Sequence, residues 1–126
     1  AAYATWAGAR LPTEFEWERA TVEGHYTDGN GPVSFHPSSS QEKGNFNDLF
    51  GSVWQWTNSN YLPFPRYKIP SGAVGEYNGK FMSNQNVLKG SSCCTPTNHS
   101  RPTYRNYFYP QQRWAFSGLR LARDVE

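Results

Sequence analysis

Three histidines and two cysteines are the side chains of this 126-residue chain that are most suited to binding a metal ion. His25, His36 and His99 stand far apart, and none has a second histidine two or four residues away, the spacing that places two imidazoles on one strand or helix face. Cys93 and Cys94 are adjacent, which suits neither a zinc knuckle nor an ordinary disulfide. We therefore expect no metal site in the chain and two thiols, at least one of them buried.

Other sequence patterns typical of catalysis are absent or weak. The chain contains no G-x-S-x-G nucleophile motif and no glycine-rich phosphate loop. A Cys94–His99 pair would have to be assembled by the fold. Glu14, Glu16 and Glu18 lie on one predicted helix, where we expect them to be solvated surface carboxylates. No residue is therefore predicted to be catalytic.

A cluster of aromatic, arginine and asparagine side chains between residues 104 and 116 is better suited to binding. Rings offer π faces to a cation, while arginine and asparagine donate hydrogen bonds to a carboxylate or an imidazole. The same rings are also core candidates, because the chain has 5 Trp, 8 Tyr and 8 Phe and few large aliphatic side chains. Composition alone favours the core interpretation. The cluster consists of Tyr104, Arg105, Asn106, Tyr107, Phe108, Tyr109, Arg113, Trp114 and Phe116.

Composition excludes several classes of protein. The net charge of +2, from 12 basic and 10 acidic residues, is too balanced for a nucleic-acid-binding surface. No apolar run reaches the roughly 18–20 residues of a membrane helix, and the N-terminus lacks the pattern of a secretory signal. The length suits one domain, and the cysteine usage suits a reducing compartment. We therefore expect a cytoplasmic protein that binds neither nucleic acid nor a membrane.

The elements that position these side chains are predicted to be two short helices followed by short strands and long loops. The first helix covers residues 1–7 and stops at Gly8 with no cap before it, as in a chain that begins inside a helix. The second helix covers residues 13–21, begins with a capping box of Thr13 and Glu16, and stops at Gly24.

Loops and strands make up the rest of the predicted structure. Residues 25–47 are rich in Gly, Pro, Ser and Asn and predict a surface loop with turns at 28–29 and 30–32. Residues 61–70 carry three prolines and predict an extended aromatic loop. Short strands are predicted at residues 53–57, 86–89, 101–109 (a strand or an ordered loop) and 118–122.

Three segments, in order along the chain, resemble the formylglycine-generating-enzyme-like or sulfatase-modifying-factor domain. They are residues 10–18 (RLPTEFEWE), 50–57 (FGSVWQWT) and 118–123 (GLRLAR). The resemblance implies an α+β fold of the C-type-lectin-like kind, with two helices followed by short strands and long loops. It also implies that residues 1–126 are the C-terminal portion of such a domain, because the family domain begins upstream of the first segment.

Several further segments carry a narrower resemblance: residues 61–65 (YLPFP), 76–82 (EYNGKFM), 84–85 (NQ), 87–93 (VLKGSSC), 103–108 (TYRNYF) and 113–114 (RW), with His99 and Arg101 between them. Together they resemble the EgtB-type sulfoxide synthases, or hercynine oxygenases, of ergothioneine biosynthesis. Members of that family use iron and O2 to join the sulfur of cysteine or γ-glutamylcysteine to the imidazole of hercynine, which is trimethylated histidine. The resemblance implies the same reaction class here.

The same resemblance implies an iron cofactor, Fe(II), whose ligands are not in this chain. Family enzymes hold the iron with an H-x3-H-x-E motif and a further histidine in an N-terminal DinB-like domain, and the chain contains no such motif. We therefore expect it to contact small-molecule substrates, to need a DinB-like iron-binding domain or chain, and to be inactive alone.

Substrate contacts are implied for residues near the C-terminus. An asparagine amide can orient an imidazole nitrogen, and aromatic rings can exclude water and face a trimethylammonium group. Arginines are candidates for the carboxylate of an amino acid. The resemblance therefore favours a substrate wall over core for these rings. The predicted substrate-binding residues are Asn106, Tyr107, Phe108, Arg105, Arg113 and Trp114.

A calcium site is the remaining implied feature, and one residue argues against it. In formylglycine-generating enzymes a glutamate in the segment that resembles residues 50–57 helps to hold a structural Ca²⁺. Gln55 stands at that position here. Loss of the carboxylate makes a calcium site around Asp48, Gly51, Val53 and Gln55 doubtful.

Two alternative functions stay open from the sequence. One is a non-catalytic lectin-like module that binds a small ligand or a partner through the aromatic cluster. The other is a formylglycine-generating oxidase that uses Cys93 and Cys94 with copper, although family members have two cysteines about five residues apart.

Overall fold

The protein is described by a computed structural model that covers residues 1–24, 35–39, 46–80 and 82–125. Helices and strands form a mixed α+β arrangement, as expected from the sequence. In chain order they are α1 (Ala2–Trp6), α2 (Glu14–Glu23), β1 (Trp54–Asn60), α3 (Ala73–Lys80), β2 (Asn86–Lys89), a 3₁₀ helix (Thr97–His99), β3 (Asn106–Phe108) and β4 (Ser117–Leu119).

The predicted capping box fixes the start of α2. Thr13 Oγ1 accepts a hydrogen bond from the backbone N–H of Glu16 at 3.2 Å, and Glu16 Oε2 accepts one from the backbone N–H of Thr13 at 2.7 Å. At the other end of α2, the backbone N–H of Gly24 donates a hydrogen bond to the carbonyl of Ala20. Both predicted helices are thus confirmed, and the capping box fixes the residue at which α2 begins.

Four strands form one sheet in the order β3-β2-β1-β4. The pairs β1–β2 and β2–β3 are antiparallel, and β1–β4 is parallel. In the register of β1 and β2, Gln55 pairs with Lys89 and Trp56 with Leu88, and an irregularity follows before Asn60 pairs with Asn86.

The sheet has two distinct faces, and α2 lies on one of them. Lys89, paired with Gln55, has its ammonium 2.7 Å from Glu18 of α2, so this face packs on the helix. Because paired residues share a face and neighbours alternate, Trp56 and Leu88 project from the opposite side. We call these the helix-side face and the far face.

Aromatic residues build much of the core on the helix side. Trp17 of α2 packs edge-on against Phe50 with ring centres 5.4 Å apart, and Leu49 joins them. Lys89 is completely buried, pairs with Glu18, and lies 5.8 Å from the centre of the Trp17 ring. Part of the ring-rich composition is therefore core, as composition alone indicated.

The helix α3 was not predicted. Two glycines lower its helix propensity, but Gly75 is required there because a methyl group at this position would lie 1.8 Å from the carbonyl oxygen of Pro70. The glycine that weakens the local signal is thus the residue that allows α3 to approach the preceding loop.

Strand boundaries differ from the predictions in both directions. β1 runs on to Asn60, because its end pairs with Asn86 although its composition is that of a turn. β4 covers Ser117–Leu119 only, and Ala122 instead forms a single bridge with Arg10. Of the segment 101–109, only Asn106–Phe108 is strand.

The loop predicted at residues 25–47 lies partly outside the described residues, and both of its predicted turns fall there. Residues 61–70 have neither helix nor strand, as predicted. Within the described part of the chain, no helix combines the length and apolar character needed to cross a membrane.

Candidate functional site

The sheet divides the predicted substrate-binding residues between its two faces. Asn106 pairs with Leu88 and Phe108 with Asn86, so both project from the far face. Tyr107 pairs with Val87 and projects from the helix-side face. The six predicted residues therefore do not form one pocket wall.

Arg105 lies on the helix side, where it forms a buried ion pair with Glu14 of α2. Its Nε is 2.8 Å from Glu14 Oε2, and its Nη2 donates to Oε1 at 3.0 Å. Arg105 Nη1 also donates to the carbonyl of Leu62 at 3.0 Å. The expectation of a solvated Glu14 is wrong, because the first turn of α2 turns this carboxylate inward toward a partner 91 residues away. The predicted role of Arg105 as a carboxylate ligand stays a prediction, and its guanidinium is already engaged.

Arg105 also belongs to an aromatic stack. Its guanidinium carbon lies 4.3 Å from the centre of the Phe64 ring and 4.9 Å from that of Tyr61. Tyr61 in turn stacks on Tyr107 with ring centres 4.1 Å apart and planes 7° from parallel. Burial raises the pKa of Tyr61, while the charge of Arg105 opposes that rise. One face of Tyr107 is therefore used in packing.

A cleft of about 380 Å³ opens beside this stack. Apolar side chains of the loop after β1 and of Phe15 form most of it, with the Arg105–Glu14 pair on one side. Its lining residues are Glu14, Phe15, Ser59, Asn60, Leu62, Pro63, Phe64, Pro65 and Arg105.

On the far face the structure brings Asn106 and Phe108 onto one strand and places Trp114 against Phe108. Asn106 Oδ1 accepts a hydrogen bond from the backbone N–H of Tyr107 at 2.9 Å, which directs the side-chain NH2 away from the strand. The rings of Phe108 and Trp114 meet edge to face at 86°, with centres 5.7 Å apart. Trp114 keeps 70% of its surface exposed, so its ring is accessible to a ligand.

More rings on the far face were not predicted to belong to a site. Trp54 and Trp56 alternate with the buried Gln55, and Trp54 lies 5.8 Å from the ring of Tyr104. His99 packs against the other side of this group, 4.5 Å from the centre of Tyr104. The apolar-polar alternation in residues 53–57 was the signal that placed both tryptophans on one face.

Arg113 is exposed and lies outside the strands, in the segment between β3 and β4. A role for it in binding a carboxylate stays a prediction.

A polar cleft of about 500 Å³ adjoins the same edge of the sheet. Asn86, which pairs with Phe108, contributes to its wall and so links it to the far face. Amide side chains dominate the lining, which consists of Asn60, Asn84, Asn86, Tyr109, Pro110 and Gln111.

The two cysteines are free thiols in different surroundings. Cys93 is buried and Cys94 exposed, with 4.0 Å between the sulfur atoms. Burial raises the pKa of the Cys93 thiol, and the neighbouring Cys94 adds to the rise. The prediction of two thiols, one of them buried, is confirmed.

No group of three His, Cys, Asp or Glu residues suited to a metal ion occurs among the described residues, and His25 lies outside them. The predicted iron of the family therefore has no ligand set in the described part of this chain.

Hydrogen bonds engage Gln55 and Asp48, two of the four residues implied for calcium. Gln55 Nε2 donates to the carbonyls of Asp48 and Leu49 at 2.8 and 3.2 Å, and Arg120 Nη2 donates to that of the neighbouring Asn47 at 2.5 Å. Calcium is bound by six to eight oxygen ligands, carboxylates prominent among them. Because Gln55 presents an NH2 group instead of a carboxylate to this loop, Gln55 does not fit the role of a Ca²⁺ ligand there.

Comparison with known families matches the chain to the sulfatase-modifying factor enzyme 1-like domain, over residues 1–47 and 32–125. Together these two matches cover almost the whole sequence.

Three similar proteins carry names related to one biosynthetic process. A hercynine oxygenase of Mycolicibacterium thermoresistibile is 32% identical over 99% of this chain and 34% of its own length. A hercynine oxygenase of Mycolicibacterium smegmatis is 34% identical over 98% of this chain and 35% of its own length. Ergothioneine biosynthesis protein 1 of Schizosaccharomyces pombe is 28% identical over 97% of this chain and 17% of its own length. The chain thus spans about a third of the length of the hercynine oxygenases it matches.

Proposed function

The chain belongs to the sulfatase-modifying factor enzyme 1-like family, and we propose that it is the substrate-contacting C-terminal part of a hercynine oxygenase. The proposal is supported by similarity to two hercynine oxygenases along almost the whole chain. In the proposed reaction a thiol and the C–H of the hercynine imidazole react with O2 to give a sulfoxide and water. The new C–S bond and the S=O bond each require two electrons, and O2 accepts all four.

The observation that carries the proposal is the group of three side chains on the far face, Asn106, Phe108 and Trp114. The Asn106 oxygen is held by the backbone, so its NH2 is the end directed to a ligand. It can donate to the unprotonated nitrogen of an imidazole. Phe108 and Trp114 meet at nearly a right angle beside it and offer apolar walls.

The accessible ring of Trp114 suits the second chemical feature of hercynine. A trimethylammonium group cannot donate hydrogen bonds, and it binds best over an aromatic face, with roughly 0.5–2 kcal/mol per good contact. Trp114 offers such a face because most of its surface is exposed. The site would thus recognise the imidazole through Asn106 and the cation through Trp114.

The described residues do not form an iron site, so we propose that Fe(II) is held by a separate DinB-like domain or chain of the cytoplasmic enzyme. The part played by this chain is then to bind and orient hercynine and the thiol, cysteine or γ-glutamylcysteine, and to exclude water. By this division the 126 residues alone should not produce sulfoxide from hercynine and a thiol.

Hercynine binding to the chain tests the site directly. Trp114→Ala and Phe108→Ala should each weaken hercynine binding about 2- to 30-fold in calorimetry, the range expected for one cation–π contact. The same substitutions should weaken the binding of histidine much less, because histidine lacks the trimethylammonium group. Trp6→Ala is the matched control, because Trp6 is also strongly exposed but lies in α1.

Three results would contradict the proposal. Equal losses with Trp6→Ala would mean that the effect is not local to the far face. Binding unaffected by Asn106→Ala and Trp114→Ala would place hercynine elsewhere. Sulfoxide formed by the isolated chain would refute the proposed division between the iron and the substrate wall.

Among the described residues, the two cysteines give little support to the alternative oxidase function. Cys93 is buried, and only Cys94 is exposed to an incoming ion or substrate. The lectin-like binding module shares the far-face site with the main proposal. It would be favoured if the chain bound ligands without the trimethylammonium group as tightly as hercynine.

A further inference from the structure

Three successive backbone carbonyls at the entrance to β1 converge on two side chains. Asn47 accepts from Arg120, while Asp48 and Leu49 both accept from the amide nitrogen of Gln55. Convergence of carbonyl oxygens in this way is typical of a cation-binding loop. We call residues 47–50 the carbonyl loop.

Gln55 is the centre of this arrangement and has every polar atom paired. Its Oε1 accepts hydrogen bonds from Trp17 Nε1 at 2.8 Å and from Arg120 Nε at 3.2 Å. Its Nε2 supplies the two bonds to the carbonyl loop. Since the side chain is buried, exchange for a carboxylate would replace the two N–H donors of Nε2 by one acceptor oxygen that faces carbonyl oxygens.

Arg120 supplies the positive charge. It follows β4, and its guanidinium reaches both the Asn47 carbonyl and Gln55. The Asp48 carboxylate supports the charged form, while burial lowers the pKa of Arg120. A planar guanidinium with several fixed donors can satisfy carbonyl oxygens that a metal ion would otherwise coordinate.

Close packing leaves little freedom to the carbonyl loop. A methyl group at Gly90 would lie 2.4 Å from the carbonyl oxygen of Leu49, and Gly90 has a φ of +91°. Asp48 itself has a φ of +54°, a conformation that needs support from its surroundings. The bonds from Gln55 and Arg120 provide that support from β1 and from the segment after β4.

We propose that the guanidinium of Arg120 and the amide of Gln55 take the place of a bound metal ion in the carbonyl loop, so that this part of the fold is metal-independent. The inference does not rest on the proposed function. It predicts that Ca²⁺ gains a site only when the donors of residue 55 are replaced by a carboxylate and the Arg120 guanidinium is removed.

Thermal unfolding with and without calcium is the first measurement. The wild-type chain should have the same Tm, within about 1 °C, in millimolar CaCl2 and in EDTA, because a ligand that does not bind the native state leaves Tm unchanged. A Tm that rises with Ca²⁺, or one equivalent of calcium retained after dialysis, would overturn the proposal.

Gln55→Glu combined with Arg120→Ala is the informative variant, because it removes both groups proposed to replace the ion and supplies a carboxylate. It should unfold at a lower Tm in EDTA, because a buried carboxylate then faces carbonyl oxygens, and regain several degrees in millimolar Ca²⁺. Gln55→Met combined with Arg120→Ala is the matched control, since it removes the same donors but supplies no oxygen ligand. It should lose stability and show no response to Ca²⁺.

A variant with Gln55→Glu and Arg120→Ala that folds and remains insensitive to Ca²⁺ would contradict the proposal. If this variant fails to fold even with Ca²⁺, the wild-type Arg120 side chain provides the decision. Its Nε–H, which donates to Gln55 Oε1, should exchange slowly with solvent in NMR, at a rate that Ca²⁺ does not change. Fast exchange would show that the guanidinium is not held beside Gln55 and would overturn the proposal.

Discussion

Arg105, which the sequence predicted to bind a substrate, forms a buried ion pair with Glu14. Both side chains are almost completely withdrawn from solvent, with 12% and 4% of their surfaces exposed. The pair connects α2, the loop after β1 and the segment before β3. An arginine among aromatic residues looks the same in the sequence whether its guanidinium binds the carboxylate of a substrate or a carboxylate of the protein itself.

Removal of one partner of this pair should be costly. Glu14→Gln leaves the Arg105 charge buried without its counter-charge, and loss of a partner in buried pairs typically costs about 3–5 kcal/mol. Urea unfolding should show this loss, whereas the double variant Glu14→Met with Arg105→Met should recover a large part of it.

A matched control is the exposed pair of Arg19 and Glu23, four residues apart on α2. Glu23→Ala should change the free energy of unfolding by less than about 1 kcal/mol. Equal losses for Glu14→Gln and Glu23→Ala would contradict a special role for the buried pair.

The start of α2 is the element whose stability depends most clearly on pH. Hydrogen bonds from Arg10 lower the pKa of Glu16 to about 2, and the backbone N–H of Thr13 contributes further. A carboxylate with a lowered pKa stabilises the folded state above its unfolded pKa, and that stabilisation is lost as pH falls toward the folded pKa.

Glu16→Gln separates charge from capping, because glutamine can still accept the bond from Thr13. The variant should be less stable than the wild-type chain at pH 7, and the difference should shrink as pH falls from about 4.5 to about 2. Unfolding in urea across this range measures it. A difference that stays constant with pH would show that Arg10 does not act through the charge of Glu16.

Elements with a local signal could be predicted, and those set by distant contacts could not. The capping box of Thr13 and Glu16 is contained within four residues, so α2 was clear from the sequence. The end of β1 depends on pairing with β2, and α3 depends on the fit of Gly75 against Pro70. Neither contact leaves a periodic pattern in the chain.

The candidate site was predictable in composition but not in arrangement. The sequence placed the rings and Asn106 near the C-terminus, but only the register of β3 shows that Asn106 and Tyr107 face opposite sides. Glu14 was expected in solvent, since nothing local indicates a partner as distant as Arg105.

At the scale of the whole molecule, the sheet separates a structural side from a proposed ligand side. Among the described elements, α2 is the helix that packs on the strands, and the Arg105–Glu14 pair and the aromatic stack lie on its side. Asn106, Phe108 and Trp114 lie toward the other face. Substitutions on the two sides are therefore expected to affect stability and ligand binding differently.

The strand order predicts that the backbone amides of β2 exchange with solvent more slowly than those of the edge strands. β2 has strands on both sides, and its Val87 and Leu88 are completely buried. Their amides should exchange with solvent roughly tenfold or more slowly than those of the edge strands β3 and β4, measured by NMR or mass spectrometry. Slower exchange in β3 than in β2 would contradict the strand order.

The alternation along β3 makes the candidate site sensitive to a single inserted residue. Arg105 is tied to Glu14 immediately before the strand, so an insertion between Arg105 and Asn106 would leave the ion pair in place and shift everything after it. Each following side chain would then change face: the inserted residue would take the position that Asn106 now occupies, and Asn106 would take that of Tyr107. The number of residues between the Arg105–Glu14 salt bridge and Asn106 thus decides on which face of the sheet Asn106 lies. For the candidate site this spacing matters as much as the identity of the residues.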